Sequence, residues 1–537
     1  MMQEPLRIAG LLGHAEKWHA DTEIVSRMPE GGLHRYTYAG LGTRSRQLAN
    51  ALARLGIRRG DRVGTLAWNT HRHLELYYAV SGSGAVCHTI NPRLFFEQLV
   101  YIINHAEDRL LFFDLTFLPL AEKLAPSCPT VESWVLMTDR AHMPDSSSLL
   151  NLRCFEDLLA AENDEYTWPY FDENTASSLC YTSGTTDQPK GVLYSHRSTL
   201  LHSYAASLPD CFNCSARDTV LPVVPMFHVN AWGIPYAAPL NGCKLVLPGP
   251  GLDAASLYEL YETEGVTFTA GVPTIWFGLL TFMREKKVQF STLQRMIVGG
   301  ASCPPALLKA FDEELGVEIR HAWGMSETSP LGTVCTLKSQ QLQLSEDEQF
   351  VIQTKQGRAI FGIDLEIVDD AGQPLPHDGV AFGDLLVRGP FVVAEYFRSP
   401  HPGELTASGW FRTGDVATID PNGFMQITDR SKDVIKSGGE WISSIELENL
   451  AIGHPHIAEA AVIGVPHPKW SERPLLVVVR KPDATITAEE LLAFYEGKVA
   501  RWWIPEAVEF VTELPHTATG KLLKTKLRQD FVSYQWS

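Results

Sequence analysis

No run of about 18 consecutive apolar residues occurs in the 537-residue chain, so a membrane-spanning helix of ordinary length is not expected. The first residues lack a basic region followed by an apolar core and a small-residue cleavage site, so no secretory leader is expected either. Cysteine is scarce. Nine in a chain of this length are too sparse, and too odd in number, for a disulfide framework, which points to a reducing cytoplasm. Cys211-Phe212-Asn213-Cys214 is a lone pair at metal-ligand spacing, with no second pair to complete a zinc site, and reads as buried or incidental thiols. Positive charge is also short: 45 Lys and Arg face 63 Asp and Glu, a net charge of −18, which argues against a nucleic-acid partner. A local basic site for a small phosphorylated ligand remains compatible with that balance. Repeats and low-complexity segments are absent.

What is present is the composition of a soluble enzyme, 45% apolar and 20% charged, in a chain long enough for two or more domains. Leu41, Ser45, Leu48, Leu52 and Leu55 fall at helical spacing before Gly56. A strand from Arg62 to Trp68 and a helix from His71 to Val80 follow. Lys244–Leu247 reads as a strand, Asp253 caps a helix running to Glu264, and Val266–Ala270 is the next strand. Such alternation predicts a parallel sheet with helices on its faces.

One unit of this kind places two loops together. The strand Arg295–Val298 ends in Gly299-Gly300-Ala301-Ser302, with Ser302 as cap of a helix whose buried side is Leu307, Ala310, Phe311 and Leu315. After Gly316, the strand from Val317 to Ala322 runs parallel to the first and ends in Trp323-Gly324-Met325-Ser326-Glu327. Both loops leave the carboxyl edge of one sheet, where open α/β sheets bind ligands.

From Gln356 to Tyr396 the pattern changes to short antiparallel strands, a small barrel or meander. Beyond Asp429, a capping box at Ser443 and Glu446, strands near 460–465 and 475–479, a helix from Ala488 to Arg501 and a strand at 508–511 suggest a small α+β domain.

The richest stretch is Thr182-Ser183-Gly184-Thr185-Thr186-Asp187-Gln188-Pro189-Lys190-Gly191, after an apolar strand from Ala176 to Tyr181. Seven of its ten residues are Thr, Ser, Gly or Lys, so it offers backbone N–H groups, hydroxyls and an ammonium, the composition of a phosphate cradle. It lacks the Gly-Lys-Ser/Thr spacing of a Walker A loop. The run resembles the phosphate loop of the adenylate-forming superfamily of acyl-CoA synthetases, peptide-synthetase adenylation domains and luciferases. The family usually has Gly where Asp187 stands, a departure that puts a carboxylate beside polyphosphate.

The resemblance extends in order from the Arg62 strand to the tail lysine. It implies a large N-terminal domain (1–428) of two α/β subdomains plus a small β-barrel, then a small mobile α+β domain (429–537) hinged near Asp429-Arg430. It implies ATP, Mg²⁺ and coenzyme A as ligands and a small-molecule carboxylic acid as substrate. Phosphate contacts would come from Thr182, Ser183, Gly184, Thr185, Thr186 and Lys190. The nucleotide would meet Gly300, Ala301, Ser302, His321, Ala322, Trp323, Gly324, Met325 and Ser326. Trp323 would stack on adenine, Asp415 would bind both ribose hydroxyls, and Arg430 would sit beside it.

Glu327 with Thr182 would hold the Mg²⁺, a fit for one carboxylate plus hydroxyl, phosphate and water oxygens. His228, Val229, Trp232, Gly300 and Gly324 would border the acid, with His228 and Trp232 on one face of a helix and Trp232 gating the acyl tunnel. Lys436, Ser437, Gly438, Gly439, Glu440 and Trp441 resemble the glycine loop lining the pantetheine channel. Arg473 is either a contact of the CoA phosphates or a solvated cation. Lys521, in Thr517-Ala518-Thr519-Gly520-Lys521, matches the lysine bridging the carboxylate and the α-phosphate.

The implied activity is a medium- to long-chain fatty-acyl-CoA synthetase of the cytoplasm. A short-chain or 3-methylthiopropionate ligase stands as the nearest alternative. A luciferase-like oxygenase shares the first half-reaction. A non-catalytic nucleotide sensor is the rival of another class. Monomer and homodimer both stay open, as does peripheral membrane contact.

Overall fold

The computed structural model describes residues 1–182, 188–399, 405–437, 440–516 and 522–536, with the backbone alone for Glu440 and Trp441. The expected residues Ser183, Gly184, Thr185, Thr186, Asp187, Gly438, Gly439 and Lys521 lie outside the described set. No helix among the described residues is long and apolar enough to cross a membrane.

Two large, mainly parallel sheets form the body. The first has seven strands, ordered Leu152–Cys154, Ser133–Leu136, Asp108–Phe113, Arg62–Leu66, Val86–Thr89, Ala176–Tyr181 and Gly191–Ser195, the last antiparallel. The second has nine, with Glu318–Gly324, Arg295–Val298, Phe268–Gly271, Thr219–Pro222 and Lys244–Leu247 consecutive and parallel. Segments such as Leu110–Phe113 and Met296–Val298 are buried at every position, as expected of strands covered on both faces.

The helix His71–Gly82 shows why these sheets act as one body. All twelve of its residues are buried, including His71, Arg72, His73 and Glu75. It carries hydrogen bonds to segments that follow strands of the second sheet: Tyr77 Oη donates to the Met226 carbonyl and Tyr78 Oη to that of Pro235 at 2.7 Å. Asn69, just ahead of it, donates to the carbonyls of Pro222 and Val224 at 2.9 Å each and accepts from the Met226 N–H at 2.6 Å. One asparagine thereby fixes the backbone leaving the strand Thr219–Pro222.

The predicted helices and strands recur with sharper limits. Thr37 caps Tyr38–Arg54, and Asp253 caps Ala254–Glu264, which Gly265 closes in the left-handed region. Arg295–Val298 and Glu318–Gly324 are parallel, with Val298 opposite His321. Ser302 is not a helix cap. The helix begins at Pro305 with Pro304 at the cap position, since proline presets the first helical φ, and the Ser302 hydroxyl instead accepts from Asn449 Nδ2 at 3.3 Å. The helix foreseen from Ala488 to Arg501 stops at Ala493; Tyr495 turns inward, its hydroxyl bonded to the Leu447 carbonyl, and Gly497 takes a positive φ of 73°.

The expected small barrel is an antiparallel meander of Asp364–Val368, Phe382–Arg388, Phe411–Ile419 and Met425–Arg430. Among the described residues no ladder joins its first and last strands.

Past Arg430 a five-stranded sheet packs against the helix Ser444–Ile452, whose cap Ser443 accepts from the Glu446 N–H. At its base lies a buried charge cluster. Lys524 Nζ donates to Glu448 Oε1 at 2.6 Å and to Ser444 Oγ at 2.5 Å, while Asp429 Oδ2 accepts from the Ser444 N–H at 2.6 Å. Burial pushes Glu448 and Asp429 above the usual carboxylate range, and the nearby Lys524 charge opposes that shift. Removing one member of such a pair strands the other charge in low dielectric. Lys524→Ala should cost about 3–5 kcal/mol in urea unfolding at neutral pH. The loss should shrink on acidification, because a carboxyl with a raised folded pKa protonates early and sheds its burial cost. A variant as stable as the parent at every pH would contradict this account of the cluster.

Candidate active site

The carboxyl edges of the two large sheets converge on one cavity of about 510 Å³. From the first sheet come Asn91 and Arg93, after Val86–Thr89, and Thr182, after Ala176–Tyr181; from the second come Val223 to Pro225, Phe227 to Val229, Val272, Gly299, Gly300 and Ala322 to Glu327. Lys190, Trp232, Tyr396, Arg412 and Arg430 complete the wall that matters here. A second cavity of about 360 Å³ lies between Ala301, Ser302, Trp323, Gly324 and Asp415 on one side and Glu448, Asn449, His516 and Lys524 on the other.

Thr182 and Lys190 close the base of the phosphate-loop stretch. The Thr182 N–H donates to the Lys190 carbonyl at 2.9 Å, and the Lys190 N–H donates to Thr182 Oγ1 at 3.3 Å. These contacts extend the hairpin of Ala176–Tyr181 and Gly191–Ser195 by one pair. The Lys190 ammonium stands 4.7 Å from the centre of the Tyr396 ring.

Tyr396 also reaches Glu327. Its hydroxyl donates to Glu327 Oε1 at 2.6 Å. Glu327 lies in a short turn, Ser326–Thr328, held by Tyr194 Oη on the Ser326 carbonyl at 2.7 Å and by the Val393 N–H on the Glu327 carbonyl at 2.8 Å. Burial raises the pKa of this carboxyl, and the Tyr396 hydrogen bond works against the rise. Among the described residues Tyr396 is the one side chain bonded to this carboxylate, which lines the cavity. No group of three or more His, Cys, Asp or Glu able to hold a metal exists among the described residues. The Glu327 carboxylate and the Thr182 hydroxyl line one cavity, a donor set that suits Mg²⁺, which keeps waters and ligand phosphates as its remaining partners.

Asp415 is tied at both oxygens. Trp323 Nε1 donates to Oδ2 at 2.9 Å and Arg430 Nε to Oδ1 at 2.8 Å. Each carboxylate oxygen keeps a second lone pair, the requirement for meeting two hydroxyls at once. Trp323 is itself buried, its indole against the backbone at Gly332, so its N–H serves Asp415 while the ring borders both cavities. Gly324 is forced: a Cβ there would overlap the Pro330 carbonyl oxygen.

His321 is not on either cavity. Its Nε2 accepts the Cys303 N–H at 3.2 Å and its Nδ1 donates to the Thr354 carbonyl at 2.9 Å, a neutral ring whose pKa burial lowers to about 4. It braces the Gly300–Cys303 loop from behind.

The segment after His228 departs from the helix expected there. Val229, Asn230, Ala231 and Trp232 have φ of 48°, 49°, 48° and 57°, and Gly233 has 80°, a left-handed turn. His228 and Trp232 therefore do not share a right-handed helix face. Left-handed backbone costs roughly 1–2 kcal/mol per non-glycine residue, so side chains must hold it. Asn230 does so: buried, it donates to Ser178 Oγ at 2.9 Å, and its Oδ1 lies 3.3 Å from Tyr77 Oη, whose one proton it shares with the Met226 carbonyl. The turn brings the Trp232 ring against Gly299 and Gly300.

Other expected residues stay apart. Among the described residues none beyond Arg430 lines the first cavity. Lys436 and Ser437 lie on a strand, Ile435–Ser437, paired with Glu440–Ile442 so that Ser437 faces Glu440 and Lys436 faces Trp441. Arg473 is held by the protein rather than by solvent alone. Its side chain is 12% exposed and its guanidinium is committed to Glu506 at 2.7 Å, Ser437 Oγ at 3.2 Å and the carbonyls of Trp502 and Ile504. Tyr396 was not foreseen, since nothing in its irregular stretch distinguishes it from a surface aromatic.

The comparisons agree with this geometry. A family model of the AMP-binding enzyme matches residues 13–397, and one of the AMP-binding enzyme C-terminal domain matches residues 446–521. The chain is 54% identical to a 3-methylmercaptopropionyl-CoA ligase of Ruegeria lacuscaerulensis, across 99% of this chain and 98% of that protein. It is 52% identical to a medium-chain-fatty-acid–CoA ligase of Ectopseudomonas oleovorans, across 99% and 97%. A long-chain-fatty-acid–CoA ligase of Thermus thermophilus is 46% identical across 99% and 97%. Among solved structures, ATP-bound MatB from Rhodopseudomonas palustris superposes with a TM-score of 0.82 at 25% identity, covering 98% of this chain and all of that one.

The Tyr396–Glu327 contact gives a sign-definite test. Tyr396→Phe keeps the ring under Lys190 but removes the side-chain hydrogen bond that favours ionised Glu327. The Glu327 pKa should rise further, so the acidic limb of the pH–rate profile should move to higher pH. An unmoved limb would mean that Glu327 need not be ionised.

Proposed function

The chain belongs to the AMP-binding enzyme family, and we propose that it is an AMP-forming acyl-CoA ligase acting on a medium- to long-chain fatty acid. One observation carries the reading. A single cavity joins the polar group of Thr182, Lys190, Glu327 and Arg430 to an apolar wall of Val223, Val224, Phe227, Val272 and Ile275. Such a space suits an acid whose carboxylate meets a nucleotide while its chain stays dry.

In the first step the carboxylate oxygen attacks the α-phosphorus of ATP, and the bond to the departing pyrophosphate breaks. Asp415 holds the ribose, with Trp323 and Arg430 fixing its oxygens. Lys190 and the tail lysine Lys521 supply positive charge where anions meet, the electrostatic core of such catalysis. Thr182 and Glu327 would hold Mg²⁺, which would polarise phosphate oxygens and offset their charge. In the second step the CoA sulfur attacks the acyl carbon and AMP leaves with its own oxygen. No covalent protein intermediate is required.

Among the described residues the strands Ile435–Ser437 and Glu440–Ile442 line neither cavity, so the reading includes rotation of residues 429–537 about Asp429-Arg430 between steps. The limits of the two family matches, 397 and 446, bracket that boundary. The nine cysteines carry no disulfide, in keeping with a cytoplasmic setting. A 3-methylthiopropionate ligase is the second reading, favoured by the 54% identity to the Ruegeria enzyme and by the similar size of a thioether sulfur and a methylene.

A panel of acids from 3-methylthiopropionate to fourteen carbons, with AMP release measured with and without CoA, separates the two. The first reading predicts the highest kcat/KM at six carbons or more, and a maximum at the methylthio acid would replace it. Lys521→Ala should lose adenylate formation by on the order of 10²-fold or more while supplied acyl-adenylate still reacts with CoA. Equal loss of both steps would remove Lys521 from its role.

A further inference from the structure

Arg93 stands at this cavity, and among the described residues no carboxylate pairs with it. Its backbone N–H donates to Asn91 Oδ1 at 3.0 Å, and its guanidinium lies 5.9 Å from the centre of the Phe227 ring. Among the described residues that guanidinium makes no ion pair and no hydrogen bond. Arg430, on the same cavity, is instead bound to Asp415. Arg93 is exposed at the cavity, so its guanidinium is reachable by an anion that enters there. The surrounding protein lowers its pKa through desolvation, as expected of a cation without a partner.

Topology says which anion. The strands Val86–Thr89 and Ala176–Tyr181 are adjacent and parallel, with Thr89 opposite Cys180. Asn91 and Thr182 are therefore each two residues past a paired position, on neighbouring strands separated by about 4.8 Å. Arg93 leaves the sheet edge beside the base of the phosphate loop, and it shares the cavity with Thr182, Gln188 and Lys190. A guanidinium fork matches two phosphate oxygens at once, which a lysine cannot do.

We propose that Arg93 binds the β- and γ-phosphates of ATP and the pyrophosphate that departs. This rests on the ligase reading above. When the bond from the α-phosphorus breaks, its electron pair goes to the bridging oxygen of the leaving pyrophosphate, and Arg93 donates hydrogen bonds to that growing charge. The proton inventory is unchanged, because arginine stays protonated throughout. Nothing in the phosphate-loop composition announces this residue, which lies about ninety positions upstream in the strand-end run Asn91-Pro92-Arg93.

The test compares two nucleotides on the full-length protein by calorimetry, for the parent, Arg93→Ala and Arg93→Lys. AMP lacks the groups that Arg93 holds, so it reports the rest of the site. Arg93→Ala should weaken MgATP by roughly ten-fold or more, the size of a lost charge-assisted bond, with AMP changed less than about two-fold. Arg93→Lys should fall between, keeping charge but losing the fork. Pyrophosphate should inhibit the alanine variant less than the parent. Equal weakening of ATP and AMP would overturn the proposal, as would unchanged ATP affinity. Unchanged ATP affinity with a raised KM for the acid would make Arg93 a carboxylate guide instead. If the parent released no AMP with any acid, the ligase reading would fail, yet the ATP-to-AMP comparison would still judge Arg93.

Discussion

Bringing a carboxylate against a triphosphate inside an acidic protein is the constraint on which this structure turns. At a few ångström, like charges repel by about 1 kcal/mol even in water and by more where water is excluded. The chain carries 18 more acids than bases, so cations must be concentrated locally and its own acids kept from adding to the repulsion. Asp415 and Glu327, expected at the nucleotide, are each restrained by hydrogen bonds. Asp415 is held between an indole N–H and a guanidinium, and Glu327 is buried under a tyrosine hydroxyl. Lys190, Arg93 and Arg412 line the same space.

That arrangement depends on the meeting of two sheet edges. Each βα loop on its own is an ordinary strand end. The buried helix His71–Gly82 and the side chain of Asn69 lock one sheet's exit loops to the other's, so that phosphate-side and acyl-side groups share one wall. Beyond Arg430, Lys524 ties the last helix to Glu448 beside Asp429, so the tail that follows the expected lysine loop is anchored at the root of the smaller sheet.

The sequence disclosed the elements whose signals are local. Apolar runs ending in glycine gave Arg295–Val298 and its parallel partner, and Asp253 and Ser443 marked helix starts through their own side chains. Motif order made Thr182, Asp415, Glu327 and Arg430 legible as a set, and the structure puts all four around the two adjoining cavities. What stayed hidden depends on distant partners. The left-handed turn after His228 is held by Asn230 through Ser178 and Tyr77, some 50 and 150 residues away in the chain. Arg473 looked free for a ligand, but Glu506 and two carbonyls claim it. Tyr396 matters only because folding lays it between Lys190 and Glu327.

The central claim is that the carboxylate attacks the α-phosphorus before CoA is involved. Exchange of labelled pyrophosphate into ATP measures that step alone. The account predicts exchange that requires the acid and Mg²⁺ but not CoA, with CoA diverting the adenylate to thioester and AMP in equal amounts. Exchange that proceeds without acid, exchange that needs CoA, or formation of ADP in place of AMP would contradict it.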